Sequence, residues 1–385
     1  MRFSRIRLEN WRNFTSVDVA LENRAFIVGA NATGKSNLLD ALKFLRDLAP
    51  GTGLFKAVSL RGGVSAIRSF AARAKSNVTL EVELFDADDS QWRYRLSFNQ
   101  DSDRRPIVVE EVVWRNTASG WQEILTRPDS NDQSDPERLT QTHLEQTLAN
   151  QEFRAIAEVF RSVSYLHIVP QIVREPERHG QFRADPFGSD FLEQIAQTSE
   201  STKKALLKRI EGALRTVVPQ LTELQSTRDD FGRAHLEARY EHWRPKAGWQ
   251  NERDFSDGTL RLIGLLWALQ TGSGPLLLEE PELSLHPGVV RRLVPMIWKL
   301  QRQQKKDRRR QVMITTHSTE LLSDPGIQGD ELLLLIPTST LSEGTTVILG
   351  AQQEDIKIKL DDGLTAGEIV ADRTDPEKLT QLVLW

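Results

Sequence analysis

The chain of 385 residues contains no cysteine, so it has neither a disulfide framework nor a thiolate metal site, as fits a reducing compartment. Long apolar runs are missing too. The stretch 262–269 is among the longest, and it falls well short of the about 20 residues that a membrane-spanning helix needs. No apolar signal region opens the chain, so a cytoplasmic protein without membrane attachment is expected. Neither sign of charge dominates: 50 basic against 54 acidic side chains exclude a global attraction to nucleic acid and leave only local patches for it. The seven histidines are scattered, no His-Glu-x-x-His pattern occurs, and no nucleophile elbow is present. Those absences argue against zinc and serine hydrolases. Sustained heptads are also lacking, which excludes a long coiled coil.

What is present is a phosphate-binding pattern. Gly29, Ala30, Asn31, Ala32, Thr33, Gly34, Lys35 and Ser36 follow an apolar strand pattern (Ala25, Phe26, Ile27, Val28). An amphipathic helix pattern with Leu38, Leu39, Leu42 and Leu45 begins at Asn37. The chemistry calls for these types: glycines let backbone amides curl around a phosphate, and a helix N-terminus adds its dipole. Lys35 is expected to neutralise the β and γ oxygens of a nucleoside triphosphate, and the Ser36 hydroxyl to hold Mg²⁺. These nine positions, Gly29 through Asn37, are the candidate phosphate ligands.

An apolar run, Leu276, Leu277 and Leu278, ends in adjacent acids, Glu279 and Glu280. It reads as a buried parallel strand delivering carboxylates to its C-terminal edge, where open α/β sheets bind ligands. Glu279 would reach the Mg²⁺ shell, directly or through water, and Glu280 would polarise the attacking water as general base. Asp is the more usual residue where Glu279 stands. Ahead of that strand, Phe255, Ser256, Asp257, Gly258 and Thr259 form a polar turn opening an apolar helix, which alone is a helix N-cap. Leu283, Ser284, Leu285, His286 and Pro287 follow the acids, and a second apolar strand pattern, 312–316, ends at His317.

Taken in this order, the segments resemble the RecF, SMC and OLD-type ABC ATPases. The opening Ile6, Arg7, Leu8, Glu9, Asn10, Trp11, Arg12, Asn13 and Phe14 is similar to their start. By that resemblance Arg12 approaches the nucleotide phosphates and Gln171 is the Q-loop candidate. Ser256 and Gly258 belong to a signature motif donating to the γ-phosphate on the other subunit. Residues 283–287 form a D-loop, and His317 is a switch that bonds the γ-phosphate and registers hydrolysis. The signature departs from the Ser-Gly-Gly-Gln of transporters. ATP and Mg²⁺ are the implied cofactors, and a homodimer closed around ATP is the implied assembly.

The fold class expected is α/β: a P-loop NTPase of ABC-ATPase head type with a mixed central sheet, an antiparallel β subdomain and an inserted helical lobe. Val78, Leu80, Val82 and Leu84 alternate with polar residues, residues 92–98 alternate again, and 108–114 adds a further strand. Helical patterns run over 139–163 and 191–218, and 235–243 reads as a returning strand. The expected division is 1–125 and 236–385 for the two halves of the ATPase lobe, with a mainly helical lobe at 126–235.

Two segments bear on partners. Residues 299–310 carry Lys299, Arg302, Lys305, Lys306, Arg308, Arg309 and Arg310, a candidate DNA contact that reads equally as a solvated helix end. Residues 381–385 (Gln381, Leu382, Val383, Leu384, Trp385) resemble the peptide by which bacterial repair proteins dock on the sliding clamp, with a terminal strand of the chain's own domain as the alternative. Relatives in recombinational repair or antiviral defence carry or recruit a TOPRIM-type nuclease. The segment after His317 is too short for one, so a separate chain would supply it. The function expected is Mg²⁺-dependent ATP hydrolysis coupled to DNA or to a partner enzyme. The rival readings are the ATP-binding subunit of a membrane transporter and a nucleotide-gated scaffold with negligible turnover. GTP is disfavoured because no Asn-Lys-x-Asp motif occurs.

Overall fold

The computed structural model describes residues 1–71, 76–86, 91–175, 187–241, 248–302, 309–337, 345–350 and 353–374. The chain forms two units: Met1–Ser164, Ser273–Leu277 and Gln301–Trp385 make the first, Tyr165–Gly272 and Leu278–Leu300 the second.

In chain order, β1 (Arg2–Trp11) and β2 (Phe14–Ala20) form a hairpin, and β3 (Arg24–Gly29) leads into α1 (Lys35–Leu48). Short helices α2 (Gly53–Ser59) and α3 (Val64–Ile67) precede β4 (Val78–Phe85), β5 (Gln91–Gln100), β6 (Pro106–Thr117) and β7 (Gly120–Arg127). Then come α4 (Ser130–Ser134), α5 (Arg154–Ser162) and β8 (Ser164–Leu166). The second unit holds α6 (Pro170–Arg174), α7 (Phe191–Gln197), α8 (Glu200–Leu214), β9 (Leu221–Arg228), β10 (Ala234–Tyr240), β11 (Trp249–Asn251) and α9 (Asp257–Gln270). Strand β12 (Leu276–Glu279) begins in the first unit and ends in the second, followed by α10 (Pro287–Arg302). The chain continues through β13 (Val312–Thr316), β14 (Leu332–Pro337), β15 (Thr345–Leu349), α11 (Glu354–Asp361) and α12 (Ala366–Thr374).

Among the described residues three sheets result: an antiparallel one ordered β2-β1-β4-β5-β6-β7, a mixed one ordered β15-β14-β3-β13-β12-β8, and a three-stranded β11-β10-β9. The period-2 pattern explains the first. Val78, Leu80, Val82 and Leu84 are buried on one face, and the charges on the other face pair across strands. Glu81 stands opposite Arg7 on β1 and Arg95 on β5 and is bonded to both. The apolar face meets α1 and α5 through aromatic pairs. Trp11 and Phe98 lie 5.2 and 5.5 Å from Phe44 of α1, and Phe3 and Tyr94 lie 5.9 and 5.6 Å from Phe160 of α5. In the mixed sheet β3 runs parallel to both β13 and β14, and every residue of β3 is buried, which is why it reads as a continuous apolar run. In the second unit, α7 and α8, β9 and β10 enclose α9. Gly264 lies where a Cβ would come within 2.8 Å of Ile168.

The sequence expectations depart from this fold in places. The edge strand β7 has no buried alternation to announce it, being exposed along most of its length. The helical pattern at 139–163 condenses to α5, with 3₁₀ turns at Pro136–Thr140 and Gln151–Phe153. The pattern at 191–218 breaks at Ser199, which starts α8. The inserted lobe is helical in α6 to α8 and also carries the three-stranded sheet.

Candidate nucleotide-binding site

The first unit builds a β3–loop–α1 turn. Gly29 closes the strand where a Cβ would sit 2.6 Å from Thr33 Oγ1 and 2.7 Å from the Leu335 carbonyl, so no larger residue fits. Gly34 adopts φ 105°, and Ala32 takes the left-handed region at φ 63°. Thr33 Oγ1 donates to the Ala30 carbonyl at 2.9 Å, which tightens the loop. The loop leads directly into the N-terminus of α1, where first-turn amides and the helix dipole favour an anion. Lys35 is buried at the loop's centre, where its Nζ donates to the carbonyls of Gly29 (2.9 Å) and Ala30 (3.1 Å). The same ammonium lies 3.4 Å from Nδ1 of His317, at the end of β13 beside β3. Lysine and strand-end histidine, far apart in sequence, are therefore neighbours. Asn31, Ala32 and Ser36 are exposed.

Arg12 makes its bonds beside the loop. Held at φ 54°, its guanidinium donates to the Ala66 carbonyl (3.0 Å) and to Asp40 (3.3 Å), a carboxylate it shares with Arg61. Its neighbour Asn13, which sequence reasoning passed over, is the residue that touches the loop. Asn13 Nδ2 donates to the Thr33 carbonyl at 2.7 Å, and its Oδ1 accepts from Asn37 Nδ2 at 2.8 Å. Trp11 adds a bond from Nε1 to the Asn37 carbonyl at 2.8 Å. The only sequence signal for Asn13 was its place in the opening motif.

The second unit carries the acids. Leu276, Leu277 and Leu278 are fully buried and deliver Glu279 to the strand end. The Glu279 carboxylate accepts a hydrogen bond from the Tyr165 hydroxyl, and its carbonyl lies 3.3 Å from His167 Nδ1. Tyr165 and His167 alternate along β8 and the residue after it, and so share a face. Glu280 sits at φ 43°, a conformation non-glycine residues seldom adopt. Such local strain concentrates at functional positions. Burial lowers the Arg261 guanidinium pKa, against the opposing fields of Asp257 and Glu280.

Ser256 caps α9, its Oγ accepting from the Thr259 amide at 3.2 Å. Gly258 lies where a Cβ would meet the Ser284 carbonyl at 2.5 Å, and Ser284 itself has φ 62°. The turns at Gly258 and Ser284 therefore pack closely against each other. Gln171 lies in the short helix α6 rather than a loop, 3.5 Å from Asp257.

Comparison with known proteins bears on the family and the fold. The family described as "AAA domain, putative AbiEii toxin, Type IV TA system" matches residues 24–323. The chain belongs to that AAA family. Two SMC heads share its fold. One, bound to the C-winged helix domain of ScpA, has a TM-score of 0.56 and 11% identity over 90% of this chain and 98% of that one. The other is an SMC head with an extended coiled coil bound to the C-terminal domain of ScpA derived from Pyrococcus furiosus. It has a TM-score of 0.51 and 14% identity over 94% and 99%. A shorter stretch of 47 residues, 12% of the chain, is 49% identical to endonuclease GajA of Bacillus cereus (strain VD045), covering only 8% of that protein's length. This member of the AAA family therefore has the P-loop fold of an SMC-type head.

Ser36 in the first unit and Glu279 in the second each carry the kind of hard oxygen that Mg²⁺ prefers. No cluster of three or more His, Cys, Asp or Glu among the described residues could form a protein-only cage. Mg²⁺ in triphosphate sites is held in that way, by one or two protein oxygens together with phosphate. The candidate DNA run is only partly described, because 303–308 lie outside the described residues. Arg310 does not face solvent: it is 4% exposed, its Nε donates to the Gly274 carbonyl at 2.7 Å, and burial pulls its pKa down to about 10. The candidate clamp peptide, 381–385, lies outside the described residues. No helix among the described residues is long and apolar enough to cross a membrane.

Proposed function

We propose that this chain hydrolyses ATP with Mg²⁺, that two copies close around ATP and reopen on hydrolysis, and that the cycle drives a separate partner enzyme, acting on DNA, in repair or defence. The observation that carries the reading is the Lys35 ammonium, buried in the loop and 3.4 Å from His317 Nδ1, which supports a phosphate clamp working beside a strand-end sensor. In this reading the amides of residues 29–37 bind the phosphates and Lys35 neutralises the β and γ oxygens. Ser36 and Glu279 are the ligands of Mg²⁺, which when bound would neutralise charge on the phosphate oxygens. Glu280 accepts a proton from the attacking water, and Ser256 with Gly258 completes the site of the opposite copy. The similarity to an endonuclease over 47 residues supports a nuclease activity as the load.

The test is steady-state ATP turnover against protein concentration, with and without duplex DNA at low salt, and with Glu280→Gln as the blank. A rate per chain that climbs with concentration supports hydrolysis in a dimer, and stimulation by DNA supports the nucleic-acid load. Turnover no greater than that of the blank would overturn the enzymatic reading.

A further inference from the structure

The signature turn of this chain has an aspartate, Asp257, where transporter subunits have glycine, and the second unit shows what that carboxylate does. Arg174, the last residue of α6, sends Nη2 to the Phe255 carbonyl at 2.6 Å and to Asp257 Oδ1 at 2.7 Å. Those contacts fall on the residues immediately before and after Ser256. One guanidinium nitrogen thus brackets the serine and sets the path of the backbone through it, at φ −63° and ψ 154°. On the same short helix Gln171 Nε2 approaches the other oxygen of Asp257 at 3.5 Å. From the far side the turn is limited by the D-loop, since the Ser284 carbonyl lies against Gly258. Ser256 itself is exposed, and its hydroxyl is within 2.8 Å of Thr259 Oγ1.

We propose that Arg174 is a positioning residue, anchored by Asp257, that holds Ser256 and the first-turn amides of α9 in the orientation needed to receive a phosphate from a second copy of this chain. The proposal rests on the reading that copies close around ATP. A planar guanidinium suits the task because one Nη2, with two N–H donors, serves a carbonyl and a carboxylate at once while the rigid plane fixes its direction. Glycine at 257 would remove the anchor. Asp257 also lies in the first turn of α9, where its charge favours the helix dipole. The same contacts join Gln171 to the signature turn, so displacement of α6 moves both.

The experiment uses the full chain in the Glu280→Gln background, reading ATP-dependent dimer formation by light scattering and nucleotide affinity by a fluorescent ATP analogue. Arg174→Ala and Asp257→Ala are each expected to weaken dimer formation about tenfold or more, as loss of a charged hydrogen bond implies. Nucleotide affinity should stay within about twofold, because the phosphate loop is untouched. The exchange R174D/D257R should recover part of the loss, that of the ion pair but not of the bond to the Phe255 carbonyl, a rescue that a purely structural role of either residue would not show. Unchanged dimer formation in the alanine variants, or loss without recovery in the exchange, would overturn the proposal. Should Arg174→Ala not fold, Arg174→Lys is measured instead: an intermediate loss supports the proposal and parental behaviour overturns it. If Glu280→Gln alone binds nucleotide without dimerising, the closing of two copies is itself refuted, and this inference falls with it.

Discussion

Replacing Asn13 by alanine tests whether the phosphate loop is shaped from outside. Asn13 makes two hydrogen bonds that no other residue replaces in kind: one to the Thr33 carbonyl at 2.7 Å and one from Asn37 Nδ2 at 2.8 Å. Together they tie the N-terminal hairpin to both sides of Gly34, whose φ of 105° is already unusual. The fit is close, since a Cβ on Gly34 would lie 2.4 Å from the Asn13 side chain. At about 1 kcal/mol per bond, the variant loses about 2 kcal/mol of loop ordering, which nucleotide binding must then supply, so affinity falls about 30-fold. Asn13→Asp should be worse, because it sets a carboxylate against the Thr33 carbonyl and beside an anion site. Titration calorimetry with ATP and Mg²⁺ reads the affinity directly. Arg12→Ala provides the contrast: its partners are Asp40 and the Ala66 carbonyl, so it should lose stability more than affinity. Affinity unchanged in Asn13→Ala, or lost more heavily in Arg12→Ala, would refute this account of the loop.

Tyr165→Phe removes the hydroxyl that bonds Glu279; the expected result is a several-fold rise in the Mg²⁺ concentration needed for half-maximal turnover, about 1 kcal/mol, with metal-free nucleotide binding unchanged. An unaltered Mg²⁺ dependence would show that the phenol is idle. Asp132→Asn breaks a fully buried pair with Arg127, whose Nε and Nη2 both donate to it at 2.8 Å, and should cost about 3–5 kcal/mol in denaturant unfolding at pH 7. The bond from Arg127 holds the Asp132 pKa below the usual carboxylate range, so its stabilisation is present above the unfolded value of about 4 and is lost as pH falls toward the folded one. Burial raises Glu111 in the same cluster, so its contribution has the opposite sign: it is present below its unfolded pKa and lost as pH rises through the folded value. The variant's acid limb should therefore flatten, and an acid limb as steep as that of the parent chain would count against the pair.

The local chemistry was legible wherever it is written in consecutive residues. The strand before Gly29, the loop, the apolar run into Glu279 and the strand ending at His317 all occur where period and glycine placement put them. Burial on both faces makes a parallel strand continuously apolar, and a phosphate turn cannot form without its glycines. Less was legible where a strand is exposed, as in β7, or where a helical period continues across a break, as at Ser199.

The sequence by itself therefore determined the kind of site, because backbone curvature, helix start and charged tip are properties of short segments. Only the tertiary structure decided which side chains complete it. That Asn13 rather than Arg12 braces the loop, that Tyr165 meets Glu279, that Arg174 brackets Ser256, and that Arg310 is buried instead of facing outward all depend on contacts between residues distant in the chain. Such contacts are set by how sheets and helices pack, and side-chain periodicity along a single element carries no record of what lies across from it.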